Sequence, residues 1–326
     1  MTKRVTVFAT GGTIAGIAGS AIAADYKSGQ IEIDEYLERV GGLGLEAELS
    51  GKQIANIDSA DIGPGVWNEL HASIMGSMAD DECDGVIVTH GTDTLEETAF
   101  LLDLTLPGHK PVVVVGAMRP ADAVGYDGLR NFANAVGVAC DSDAAGRGVL
   151  VVMGDRVFAA RDVRKVRTRG TDAFRGFPRE SIGLVTPSSV EWFGAAWRDD
   201  DSAQLAFAAK LPAVPIGYIY AGMEPSDLAC VLADALGVVL AGVGEGNMPE
   251  SIRQELVRYA ALGHPVVRAS RADEGLVDRE PEDTENGFVA ARALNPQKAR
   301  ILLQLLIANG IKDPSRFRQL SMNVEL

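Results

Sequence analysis

The chain has 326 residues, 47% hydrophobic and 23% charged, the profile of an ordinary folded protein long enough for about two domains. Its 30 basic and 45 acidic residues leave a net charge of −15, which offers no basic surface to nucleic acid or to an anionic membrane. The three cysteines, Cys83, Cys140 and Cys230, are widely spaced and odd in number; they read as buried thiols, not as a disulfide framework or a metal cluster.

The first apolar run follows Lys3 and Arg4, spans only about five residues and is ended by glycines, which is too short for a secretory leader. No stretch approaches the roughly eighteen apolar residues of a membrane span. The expectation is a cytoplasmic protein, or a periplasmic one if a leader has been removed from the sequence. Residues 5–9 form a short β-branched run that reads as a buried strand, broken by Thr10-Gly11-Gly12-Thr13. The two glycines permit a sharp turn and a close approach, and they leave the Thr13 hydroxyl at the strand's carboxyl end. Ligands bind at that edge of open α/β sheets, although a threonine there can also serve only as a helix cap.

The pattern recurs. Apolar runs at residues 84–89, 111–115 and 148–153 stop at His90-Gly91-Thr92-Asp93, at Gly116-Ala117-Met118-Arg119-Pro120 and at Gly154-Asp155. Helical spacing of apolar residues fills 66–78, 96–104 and 129–140. Strand, turn and helix in alternation predict a doubly wound, mainly parallel sheet. Thr94 and Glu97 have the spacing of a capping box, which puts Thr92 and Asp93 just ahead of a helix N-terminus. Thr13 and Thr92 therefore end two strands of one sheet on one edge.

Residues 157–179 are rich in arginine and read mainly as a solvated loop, with the alternative that one cation reaches the sheet edge. Residues 184–211 have poor periodicity and carry an acidic run, with a short helix expected at 203–209. Alternation resumes after Pro215, with strands at 217–220, 237–241 and 265–269 and helices at 226–235 and 250–262; Asn295, Pro296 and Gly310 bracket a last helix. The expected organisation is a larger N-terminal α/β domain over 1–190, a linker over 191–212 and a smaller C-terminal α/β domain over 213–326.

Several chemistries have no motif here. The four histidines form no HExxH, and GxSxG and GxxxxGK[ST] do not occur. The run Gly242-Val243-Gly244-Glu245-Gly246-Asn247 approaches a dinucleotide turn, but Asn247 stands where its last glycine belongs, which disfavours a nucleotide-binding oxidoreductase. His90 fits a packed core residue better than a chemical one. What remains is a set of hydroxyls, the Asp93 carboxylate and a possible lysine. A threonine becomes a nucleophile when a base takes its proton, glycine-turn N–H groups can hold an oxyanion, and Asp93 can grip an ammonium. These residues point to covalent hydrolysis of an amide or ester in a small cationic or zwitterionic substrate.

Ala9-Thr10-Gly11-Gly12-Thr13-Ile14-Ala15-Gly16 resembles the first signature of bacterial L-asparaginases, in its type II form. Thr89-His90-Gly91-Thr92-Asp93-Thr94 with Glu96-Glu97-Thr98 resembles the second, and Leu294-Asn295-Pro296-Gln297-Lys298-Ala299-Arg300 is also similar to that family. The resemblance implies hydrolysis of L-asparagine to L-aspartate and ammonia through a threonine acyl-enzyme, with no metal or cofactor. It assigns Thr13 as nucleophile, Tyr26 as the tyrosine of a lid, and Thr92, Asp93 and Lys165 as a second triad. Gly12 and Thr92 N–H groups would form the oxyanion hole, Gly91 would line the substrate site, and the Ala117 carbonyl would meet the substrate amide. Ser59 would bind the substrate carboxylate and Asp93 its ammonium.

Asn247 and Glu280 match groups that reach the site from a partner subunit of a homotetramer built from close dimers, with Glu282 a competitor for the second position. Ala60 stands where the family often has glutamine, which implies weaker substrate binding and low activity on glutamine. Gly108 occupies one position of a disulfide found in some periplasmic members, in keeping with a reducing compartment. The alternatives are a glutaminase-asparaginase of broad specificity, the asparaginase-like subunit of a tRNA-dependent amidotransferase (disfavoured by the acidic balance) and a catalytically silent amino-acid-binding protein.

Overall fold

A computed structural model describes residues 2–19, 27–198 and 203–322. The chain divides into two units, Met1–Gln204 and Leu205–Leu326. In the first, strand and helix alternate as β1 (Lys3–Gly11), α1 (Ile33–Gly41), β2 (Ala47–Ile57), α2 (Pro64–Ala79), β3 (Gly85–Thr89), α3 (Leu95–Thr105), β4 (Val112–Val115), α4 (Gly128–Cys140) and β5 (Val149–Met153). Five shorter strands follow: β6 (Arg156–Ala159), β7 (Val163–Lys165), β8 (Phe174–Gly176), β9 (Gly183–Val185) and β10 (Val190–Trp192).

The large sheet has the order β10-β9-β6-β5-β4-β3-β1-β2. Pairing is parallel from β2 to β5 and antiparallel from β5 through β6 and β9 to β10. The parallel part thus runs 2-1-3-4-5, and its order reverses between β1 and β3. All five residues of β3 and all four of β4 are buried, because helices cover both faces. Val7, Ile87, Val113, Val115 and Leu150 share one core with Tyr36 of α1 and Phe132 of α4.

Three expectations change. The basic stretch is a solvated loop only over residues 167–172: β6, β7 and β8 run through the rest, Arg164 is buried with its guanidinium 5.0 Å from the Phe177 ring, and Asp162, buried, accepts from Arg179 at 2.6 Å. Short strands interrupted by arginines leave no alternating apolar pattern to read. The residues expected to open a linker belong to the first unit. Val190–Trp192 pairs with β9, Arg147 stacks on Trp192 at 4.2 Å, and Trp197 N donates to the Gly146 carbonyl. No helix forms over 203–209, where Leu205 is buried and the Asn309 amide donates to the Ala206 carbonyl in place of a helical partner.

The second unit contains β11 (Ile216–Tyr218), α5 (Pro225–Leu232), β12 (Val238–Gly242), α6 (Glu250–Ala261), β13 (Val266–Ser270), α7 (Pro281–Asn286), β14 (Phe288–Ala290), α8 (Pro296–Ala308) and α9 (Pro314–Met322). Its four strands pair in chain order, all parallel. Asn295 caps α8 by accepting from Lys298 N at 3.2 Å. Cys83 is buried and Cys140 half-buried, but Cys230 is exposed on the outer side of the short helix α5, contrary to expectation. Among the described residues, no helix is long and apolar enough to cross a membrane.

Phe132 is fully buried and meets Tyr36 edge to face, with centroids 5.3 Å apart and planes at 81°. We expect Phe132→Ala to cost about 3–5 kcal/mol through the cavity it opens between helix and sheet. A thermal unfolding midpoint within about 2 °C of the parent would show that this contact is not part of a close-packed core.

Candidate active site

The carboxyl ends of β1 and β3 meet where the sheet order reverses, the crevice at which open α/β sheets bind ligands. β1 ends in Gly11 and Gly12, both with positive φ (101° and 81°). A Cβ on Gly12 would overlap the backbone of Gly91, and a Cβ on Gly91 would stand 2.8 Å from Ser59 Cβ and 3.2 Å from Gly12 Cα. Only glycine at both positions lets the two loops touch. Thr13 and Thr92 each follow one of these glycines, and both are buried, at 4% and 5% exposure.

Each loop is held by residues distant in the chain. Thr13–Ala15 forms one 3-10 turn, and the Tyr126 hydroxyl donates to the Ile14 carbonyl at 2.6 Å. Burial pushes that phenol's pKa up to about 12, so it stays a donor. On the other loop, Ser59 accepts from Asp93 N at 3.2 Å through its hydroxyl oxygen and from Thr94 Oγ1 at 2.7 Å through its carbonyl. The expected capping box is therefore absent. Thr94, at φ −116° and ψ 14°, makes no side-chain cap bond and spends its hydroxyl on the Ser59 loop.

Lys165 Nζ lies 2.8 Å from Thr92 Oγ1 and forms an ion pair with Asp93 Oδ1. The Lys165 side chain is 15% exposed and that of Asp93 62%. The lysine arrives on β7, and its backbone N–H donates to the buried Glu96 carboxylate at 3.1 Å. As an ammonium, Lys165 donates to Thr92; as an amine at the same distance, it would accept the threonine proton.

His90 is fully buried and takes no place in this group. Its Nδ1 lies 2.6 Å from the Gly91 carbonyl, which can only accept, so Nδ1 carries the proton and Nε2 accepts from Thr98 Oγ1 at 2.8 Å. Trp67 Nε1 completes the chain by donating to Thr98 at 2.9 Å. Burial lowers the His90 pKa to about 4 from 6.5, against the opposing pull of the Gly91 bond. His90 is a neutral clamp on the Gly91–Thr92 peptide.

Thr13, Thr92, Asp93, Lys165, Gly12, Gly91 and Ser59 are thus tied into one cluster by bonds and backbone contact. Ala117 is buried just past β4, after Gly116, where a Cβ would stand 3.1 Å from Thr92 Cγ2. Ala60 is exposed, its N–H donating to the Asp58 carboxylate at 2.9 Å. Tyr26 lies outside the described residues. The expected oxyanion role of the Gly12 N–H is not met: this group donates to the Ile57 carbonyl at 3.0 Å, where the β1–β2 register shifts. The Thr92 N–H donates to no group among the described residues.

Asn247 and Glu280 belong to the second unit. Asn247 closes a turn after β12, exchanging backbone bonds with Val243 at 2.9 and 2.8 Å. Glu280 begins α7 and pairs with Arg268 at 3.4 Å. Glu282 instead pairs with Arg253 at 3.7 Å and is 64% exposed. Sequence reasoning passed over Glu96, Tyr126 and Arg268, since nothing local marks them. The first is one acid in an acidic turn, and the others bond to residues far along the chain.

Buried hydroxyls beside a lysine–carboxylate pair stand at the switch point of the parallel sheet in this doubly wound α/β protein. Residues 4–198 match the family described as Asparaginase, N-terminal, and residues 213–320 match the Glutaminase/Asparaginase C-terminal domain. The chain is 41% identical to L-asparaginase 2 of Escherichia coli K12, covering 97% of this chain and 92% of that protein. It is 36% identical to a glutaminase-asparaginase of Pseudomonas aeruginosa, over 92% and 85% of the two. A crystal structure of a probable cytoplasmic L-asparaginase from Campylobacter jejuni superposes with a TM-score of 0.91 at 35% identity, covering 99% of this chain and 100% of that one. The chain belongs to the asparaginase family.

A histidine held neutral in the fold opposes acid. Below about pH 6.5 the unfolded chain takes up a proton that folded His90 refuses down to about pH 4. Its contribution is intact above pH 6.5 and falls by roughly 3 kcal/mol as pH drops to about 4. His71, also lowered by burial, acts in the same direction. Urea unfolding from pH 7 to 4 checks this: His90→Asn should lose stability less steeply than the parent, and parallel curves would contradict a buried neutral imidazole.

Proposed function

We propose that this protein hydrolyses L-asparagine to L-aspartate and ammonia through an acyl-enzyme on Thr13. The observation that carries the reading is the Thr92–Lys165–Asp93 set held against the Thr13 loop by the Gly12–Gly91 contact. Similarity to named L-asparaginases supports the choice of substrate. Thr13 Oγ adds to the side-chain amide carbon, and the C–N bond breaks as nitrogen takes a proton and leaves as ammonia. Water then adds to the Thr13 ester and releases aspartate. Lys165 manages protons through Thr92, either by relaying the nucleophile's proton or by orienting the water. The Thr92 N–H receives the developing oxyanion, and the Ala117 carbonyl accepts from the substrate amide.

Substrate ends are recognised by opposite means. The Ser59 hydroxyl oxygen accepts from Asp93 N, which leaves its own proton to donate to the α-carboxylate. Asp93 spends one oxygen on Lys165 and offers the other to the α-ammonium. The reading includes Tyr26 as a lid residue, Asn247 and Glu280 as groups supplied by a partner subunit, and a homotetramer of close dimers as the active form. It also includes a cytoplasmic location, supported by three cysteines that form no disulfide. The second reading, a broad glutaminase-asparaginase, draws on the similarity to the Pseudomonas aeruginosa protein.

Ammonia release from L-asparagine and L-glutamine tests these together. We expect Thr13→Ala to lose activity on asparagine by about a thousand-fold or more. Full activity in that variant would move the nucleophile to Thr92, and no release by the folded parent would leave an amino-acid-binding protein. Ala60→Gln should lower KM for asparagine by roughly five- to ten-fold, the equivalent of one hydrogen bond of about 1 kcal/mol. Unchanged KM values and an unchanged asparagine-to-glutamine ratio would show that position 60 takes no part in binding.

A further inference from the structure

Arg268 is the largest fully buried side chain among the described residues, at 0% exposure in the middle of β13. A guanidinium there is costly to desolvate, and an aliphatic side chain would fill a parallel strand more cheaply. The side chain makes up the difference with bonds to three separate segments. Nε and Nη2 fork onto the Asp283 carboxylate at 2.6 and 2.8 Å. Nη2 also donates to the Asp278 carbonyl at 3.0 Å. Nη1 donates to the Glu245 carbonyl at 2.9 Å and lies 3.4 Å from Glu280 Oε1.

These contacts converge on two residues. Glu245 sits in the turn that Asn247 closes, and Gly246 packs so near that a Cβ there would stand 3.1 Å from Nη1. Glu280 is gripped twice, by its carboxylate on Arg268 and by its N–H on Asp283 Oδ2 at 3.0 Å. Asn247 and Glu280 are 33 positions apart in sequence, yet one guanidinium sets the spacing of the segments that carry them.

We propose that Arg268 is a positioning residue, which makes the Asn247 turn and Glu280 a single preorganised unit. This rests on the reading above that both residues serve the reaction. Lysine cannot substitute, since one ammonium cannot fork onto Asp283 and still reach the Glu245 carbonyl and Glu280.

A double-mutant cycle on the full-length oligomer tests the proposal. Arg268→Lys is measured alone and on an Asn247→Ala/Glu280→Ala background, with native mass and melting temperature checked for each protein. We expect Arg268→Lys alone to lower kcat/KM for asparagine about ten-fold or more, and to lower it by less than about two-fold on the background. An equal loss in both backgrounds, or none in the first, overturns the proposal. If Asn247→Ala/Glu280→Ala itself retains full activity, the reading of those two residues has failed instead, and the proposal falls with it. Should Arg268→Lys not assemble, Asp283→Asn, which weakens the fork and leaves the guanidinium in place, decides by the same comparison.

Discussion

The site depends on two backbones touching. Gly12 and Gly91 close the loops after β1 and β3 so tightly that neither position has room for a Cβ, and Gly12 also needs a positive φ of 81°. Each glycine is followed at once by a buried threonine, so the contact that closes the sheet edge also brings two hydroxyls to it. The parallel order 2-1-3-4-5 makes this possible, because β1 and β3 are neighbours whose connections leave in opposite directions.

Around that contact the chain places rigid supports rather than more chemistry. Ser59 ties Asp93 and Thr94, Glu96 pins the backbone of Lys165, Tyr126 holds the Thr13 turn, and Asn131 holds the Gly116 carbonyl at 2.9 Å. Most of these supports join a loop to an element far along the sequence: Tyr126 reaches back 112 positions and Lys165 reaches 69. Bonds of this kind preorganise a site at an entropic cost met in folding, so less is lost when substrate binds. The second unit follows the same plan, with Arg268 and Asp283 as its buried anchor.

Legibility in the sequence followed the range of the interaction. The strands β3, β4 and β5 are uninterrupted buried runs, β1 is buried from Val7 to Gly11, and a glycine stands at or within two residues of each carboxyl end; the helices between them repeat at helical spacing, so the parallel sheet and the edge that carries the candidate site were readable. The strands β6 to β10 were not. They are mostly three residues long, and arginines in and around them, Arg147, Arg164 and Arg179, stack on Trp192, Phe177 and Trp197, partners that local pattern does not reveal. Thr94 shows the same limit at a single residue: the spacing of a capping box was present, but the Ser59 carbonyl won the hydroxyl. Arg268 is one polar letter in a strand of buried ones, and only its distant partners give it meaning.

The supports also narrow the choice of base. A histidine one turn from the candidate nucleophiles would ordinarily be the first group to suspect. Here both nitrogens of His90 are committed, one to the Gly91 carbonyl and one to Thr98, and burial keeps the ring neutral to about pH 4. To take a proton it would have to reverse its bond with Thr98 and become a buried cation with no carboxylate among its bonded partners. Lys165 is differently placed: it touches the Thr92 hydroxyl directly and pairs with the Asp93 carboxylate. Of the two, only the lysine touches a candidate nucleophile's hydroxyl. The histidine acts from behind, by fixing the Gly91–Thr92 peptide.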